Sequence, residues 1–116
     1  MTANEYQTKA ARTIPGYDTR KQMLYHAVFG LASEAGEVAG IFQKEYQGHE
    51  INRDDLVHEL GDCLWMICEA CGALGVSLDY VMQANIDKLL KRYPDGFSAE
   101  KSIHRKEYEY ETPELH

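Results

Sequence analysis

The chain has 116 residues, 44% hydrophobic and 10% aromatic, which is enough apolar material for one packed domain and too much for a disordered segment. Nineteen Asp and Glu against twelve Lys and Arg leave a formal charge of −7, a balance that argues against nucleic acid or an anionic membrane surface as a partner. A folded monomer of this mass exposes roughly 6,400 Å² against roughly 19,000 Å² for the open chain, so about two thirds is buried and some surface is left for a partner subunit.

Prolines stand only at positions 15, 94 and 113, and the long stretches between turn signals favour helices. Residues 4–13 read as a first helix capped by Asn4 and ended by Ile14-Pro15-Gly16. A second is predicted from about 20 to 47, where Leu24, Val28, Leu31, Ala35, Val38, Phe42 and Tyr46 recur at threes and fours along one face before Gly48. A third starts near Asn52 with Asp54 and Asp55 in its first turn, and runs through Leu56, Leu60, Cys63, Ile67, Cys71 and Leu74 to Gly75. Ser77 then caps a fourth, Leu78 to Tyr93, closed by Pro94 and Gly96. No alternating β pattern competes, apart from Glu107 to Glu111 in the polar tail 99–116, which reads as irregular. The expected architecture is all-α, with two long antiparallel helices and shorter flanking ones in a domain spanning 1–98.

Cys63, Cys68 and Cys71 lie on one apolar helix, poor geometry for a disulfide framework, and Cys68-x-x-Cys71 has no second pair to complete a metal site. They read as core thiols in a reducing compartment. The longest apolar run, Cys63 to Cys68, is too short to cross a bilayer, and the first residues lack the basic and apolar regions of a signal peptide. The expected location is cytoplasmic.

The chemistry is carried by the acids. At about 100° per residue, Glu34 falls beside the apolar stripe of the second helix, and Glu37, Ile41 and Lys44 continue that border. Ala35, Gly36, Ala39 and Gly40 leave room for close approach there, although each glycine costs a helix about 1 kcal/mol relative to Ala. On the third helix the few polar side chains are His58, Glu59, Asp62 and Glu69, and Glu59 projects between Cys63 and Met66, inside the apolar arc. An unpaired carboxylate there is strongly disfavoured. Asp62 lies one turn on, so neighbouring antiparallel helices each offer an i,i+3 acidic pair. Four converging carboxylates repel unless cations intervene, and hard oxygen donors favour Mg²⁺ or Mn²⁺. On the fourth helix Asn85, Lys88 and Arg92 form a polar stripe suited to phosphate oxygens, while Met82, Ile86, Leu89, Leu90 and Tyr93 occupy another face.

Three blocks in order, Gly30-Leu-Ala-Ser-Glu34-Ala-Gly-Glu37-Val, His58-Glu59-Leu-Gly-Asp62-Cys-Leu-Trp65 and Asn85-Ile-Asp-Lys88-Leu-Leu-Lys-Arg92-Tyr-Pro94-Asp-Gly-Phe97, closely resemble the MazG-like all-α nucleoside triphosphate pyrophosphohydrolases. The opening Glu5 to Thr13 is similar to the first helix of small, single-domain members, some of them phage-encoded. The resemblance covers about residues 4–98. It implies a MazG-like bundle of four to five helices completed by oligomerisation, as a homodimer or homotetramer with sites between helices. It also implies Mg²⁺-dependent cleavage of a ribo- or deoxynucleoside triphosphate between the α- and β-phosphates, a reaction suited to nucleotide-pool house-cleaning. Carried over, Glu34, Glu37, Glu59 and Asp62 become metal ligands, with Glu37 favoured to accept the proton of the attacking water. Lys44, Asn85, Lys88 and Arg92 become substrate contacts. Base recognition falls to side chains the motif does not fix, with Trp65, Tyr25, Phe29, His26, Tyr6 and Gln7 as candidates. Two other readings compete: a carboxylate-bridged di-iron bundle, which needs Glu-x-x-His pairs that neither helix offers, and a non-catalytic, metal-stabilised helical dimer that binds nucleotide or a protein partner.

Overall fold

The computed structural model describes residues 1–97 and 99–100, and within them the chain forms four helices and no strand: α1 (Ala3–Ala11), α2 (Arg20–Tyr46), α3 (Arg53–Leu74) and α4 (Leu78–Arg92). Each begins on a side chain that satisfies an otherwise unpaired backbone N–H of its first turn. Thr19 Oγ1 accepts from Gln22 N, Asn52 Oδ1 from Asp54 N and Asp55 N, and Ser77 Oγ from Tyr80 N. The first helix departs from the expected 4–13. Thr2, not Asn4, is its cap, through Oγ1 accepting from Glu5 N at 3.1 Å. Asn4 lies inside the helix, where its Oδ1 accepts from Asp79 N at the start of α4. α3 ends where expected, at Gly75, whose φ of +71° is a left-handed conformation that side chains resist. The expected tail beyond Glu100 lies outside the described residues.

α2 and α3 form the main antiparallel pair, and the close approaches between them set one register. A Cβ added at Gly72 would meet Met23 Cε at 3.1 Å, and one at Gly30 would collide with Met66 Sδ. His26 bonds Glu69 between those two points. The seam therefore runs along Met23, Ala27, Gly30 and Glu34 of α2, and Ala27 is fully buried. This corrects the apolar stripe expected to face the core. Val28 and Phe42 of that stripe are about half exposed, and Tyr46 is 93% exposed. The stripe is displaced by about 95° from the seam at 100° per residue, so one helix carries two faces and a single chain covers only one.

α1 and the start of α4 close the other side of α3. Cys68, Cys71 and Leu78 are buried together against Ala3, Tyr6, Ala10, Ile67 and Val76. The cysteines are free thiols, and burial raises the pKa of both Cys68 and Cys71, as befits packing rather than reactivity. Gln7 binds the α3–α4 turn from both ends of its amide, donating Nε2–H to Val76 O and accepting from Leu78 N. Tyr6 packs partly buried against that core, where desolvation and, beyond it, the nearby charge of Asp62 raise the phenol's pKa, and Gln7 is committed to the turn. α4 leaves α3 at a bend of 101°. Its Met82, Ile86, Leu89 and Leu90 remain exposed. No single helix among the described residues is long and apolar enough to cross a membrane.

Candidate metal centre

Glu34 arrives from the middle of α2, and Glu59 and Asp62 from the first half of α3. The register of the pair sets them opposite one another, and each offers a carboxylate oxygen within 4.8 Å of the others. Glu34 and Glu59 are half-buried. The pKa of Glu59 is raised, first by desolvation and then by the negative charges of Asp62, Glu37, Glu34 and Asp55. Glu37 is exposed and stands outside the trio, yet it lies near enough to act on Glu59 through its charge. Three hard oxygen donors from two rigid helices, one of them resisting ionisation, form a donor set that fits a small divalent cation.

The other expected site residues are distributed differently. Lys44 lies in the last turn of α2, ten residues beyond Glu34, and is exposed. Asn85, Lys88 and Arg92 are on α4. From Asp62 to the end of α3 is about 18 Å of helix, and from the start of α4 to Lys88 is about 15 Å. With a 101° bend between them, Lys88 and Asp62 are on the order of 20 Å apart, further than a lysine side chain spans. One chain does not bring this stripe to the carboxylates. Tyr25 and Phe29 are exposed and stack tilted at 6.3 Å. Both sit on the far side of α2 from Glu34 by helical projection.

A second polar cluster occupies the other end of the same seam. Glu69 is only 1% exposed, and its carboxylate accepts from Tyr17 Oη at 2.9 Å and from His26 Nδ1 at 2.9 and 3.0 Å. The phenol of Tyr17 is held above its ordinary pKa by desolvation and by the bond and charge of Glu69. The sequence marks Glu69 as a polar residue on an apolar helix without indicating its partners; the signal it offers is the position seven residues beyond Asp62, on the same face. Tyr17 also lines a cavity of about 350 Å³ with Ile14, Pro15, Arg20 and Met23, apart from the carboxylate trio.

The helical pair thus gathers three carboxylates into an acidic centre that fits a cation, in an all-α fold. The model of the MazG nucleotide pyrophosphohydrolase domain matches residues 23–97, and the chain belongs to that family. It is 37% identical over 78 residues to the Gene 37 protein of Mycobacterium phage L5, covering 63% of this chain and 68% of the phage protein. No solved structure matches.

Proposed function

We propose that the chain is a Mg²⁺-dependent nucleoside triphosphate pyrophosphohydrolase acting in cytoplasmic nucleotide-pool house-cleaning. Water adds at the α-phosphorus, the α–β anhydride bond breaks, and a nucleoside monophosphate and pyrophosphate leave. The observation that carries this reading is the convergence of Glu34, Glu59 and Asp62 within 4.8 Å in a chain of this family. Those three would hold the cation with Glu37 as a fourth ligand or as the base that takes the water's proton. Once bound, a hard divalent cation supplies charge neutralisation on the phosphate oxygens and a more acidic water.

The remaining chemistry belongs to side chains that hold the anhydride in line. Asn85, Lys88 and Arg92 would bind the phosphates, but α4 carries them away from the acids of its own chain. A second copy resolves this. The exposed apolar faces of α2 and α4, with Val28, Phe42, Ile86 and Leu90, would be covered in a homodimer or homotetramer, and α4 of one copy would reach the carboxylates of another. Lys44, on the border of Glu37, would add a further phosphate contact.

The test is incubation with Mg²⁺ or Mn²⁺ and a panel of ribo- and deoxynucleoside triphosphates, resolving pyrophosphate from orthophosphate. Equimolar monophosphate and pyrophosphate is the expected result. Orthophosphate alone would contradict α–β cleavage, and nucleotide binding without turnover would identify the non-catalytic dimer.

A further inference from the structure

The Glu69 cluster has the construction of a fixed ligand contact. A carboxylate only accepts, so His26 Nδ1 carries the proton it shares with Glu69, and in the neutral ring Nε2 is left as an acceptor. Both oxygens of Glu69 face the imidazole, and Tyr17 binds Oε1 from the α1–α2 loop. The ring cannot turn without breaking these bonds, yet the His26 side chain is 52% exposed and no described residue bonds Nε2. A buried acid that orients a histidine whose other nitrogen faces out is the arrangement by which proteins aim an imidazole at something bound.

Its position specifies what that would be. His26 and Glu37 fall within about 20° of each other on the α2 wheel, and His26 is about 12 Å along the axis from Glu34. On α3, Glu69 follows Asp62 by two turns on the same face, and Trp65 lies between them. The indole Nε1 of Trp65 is buried with no hydrogen-bond partner among the described residues, a second polar group on this flank. A nucleotide held by its phosphates at the carboxylates and lying along the seam would place its nucleoside over Trp65 and His26.

We propose that His26 Nε2 accepts a hydrogen bond from the nucleoside, either from an exocyclic amino group of the base or from a sugar hydroxyl, and that Glu69 is the residue that positions it. This rests on the phosphate end being held at the Glu34, Glu59 and Asp62 centre. His26 then sets specificity, because a site built to receive a donor discriminates strongly against analogues that lack one.

Binding decides the matter without turnover. The probes are non-hydrolysable α,β-imido nucleotides with Mg²⁺, ribo and deoxy, with amino-bearing or carbonyl-only bases, alongside inorganic tripolyphosphate, which has no nucleoside. In the wild-type chain one class of donor-bearing analogue binds tightest, and His26→Ala weakens it about tenfold while tripolyphosphate is unaffected. Glu69→Leu reproduces that loss of selectivity, and Glu69→Gln, whose carbonyl still accepts from Nδ1, restores it. Circular dichroism establishes that each variant compared is folded, and His26→Ala suffices if Glu69→Leu is not. An unchanged nucleotide affinity in His26→Ala, or an equal loss for tripolyphosphate, overturns the proposal. The pattern of ribo, deoxy and base preference separates a sugar contact from a base contact. Nucleoside selectivity that depends on His26 in a chain without hydrolysis would sustain this inference and sink the pyrophosphohydrolase reading. Hydrolysis with no such dependence would do the reverse.

Discussion

The two ends of the α2–α3 seam handle buried acid in opposite ways. At one end Glu69 is almost completely enclosed and fully partnered by Tyr17 and His26. At the other, Glu34, Glu59 and Asp62 meet with their like charges facing one another, and Glu59 resists ionising. Burial alone therefore does not mark the metal centre, since the more buried carboxylate is the satisfied one. The mark is a group of acids that no described side chain is seen to compensate and that a cation would compensate. Gly30 and Met66 pack tightly between the two clusters and keep them separate.

The largest effect should come from the uncompensated end. Glu59→Gln or Glu34→Gln is expected to reduce Mg²⁺-dependent hydrolysis to background while leaving the helical circular dichroism intact. Wild-type rates in both would dissolve the distinction between the clusters. Next is the partition between them. Gly30→Ala places a methyl group against Met66 Sδ, and the overpacking should cost about 1–3 kcal/mol in urea unfolding, lessened because a methionine side chain can give way. The effect of Met66→Ala combined with it should fall well short of additive, as expected for residues in contact.

Most of the fold could be read from local chemistry. Thr, Asn and Ser caps and Gly75 set the helix ends, and those signals act within four residues of where they sit. The acid trio was also legible, because i,i+3 spacing on two helices joined by a short turn needs only the assumption that they pair. Three things were not. The seam on α2 follows the small and polar residues Ala27, Gly30 and Glu34 rather than the more hydrophobic stripe, since close packing and not hydropathy decides which face meets α3. The 101° departure of α4 is set by Gly75 to Ser77 and by the hold of Gln7 on that turn, sixty-nine residues away from Val76 in sequence. Glu69 could be seen as an anomaly on an apolar helix, but its partners are 43 and 52 residues distant.

Smaller effects test the satisfied end. Tyr17→Phe removes one hydrogen bond from a buried carboxylate that keeps its histidine, so stability should fall by about 1 kcal/mol, with the Mg²⁺ midpoint for hydrolysis unchanged. A shift in that midpoint would mean that the clusters communicate past Met66. Spectrophotometric titration should also show two tyrosines, Tyr6 and Tyr17, ionising above the ordinary value near 10 in the wild type, with only one of them left in this variant.

The subtlest difference is in the response to pH. Because the folded pKa of Glu59 is raised above 4.5, the folded chain holds that proton more tightly than the unfolded one. Its contribution to stability is complete below 4.5 and is lost as the pH rises through the folded value. The melting temperature of the metal-free wild type should therefore include a decline on the alkaline side of 4.5 that is absent in Glu59→Gln. At neutral pH saturating Mg²⁺ should reverse it, because a bound cation favours the ionised carboxylate that burial and its neighbours oppose. Glu59→Gln should thus melt higher than wild type without metal and gain less from Mg²⁺. If the substitution lowered the metal-free melting temperature, Glu59 would be internally compensated as Glu69 is, and the difference between the two ends of the seam would disappear.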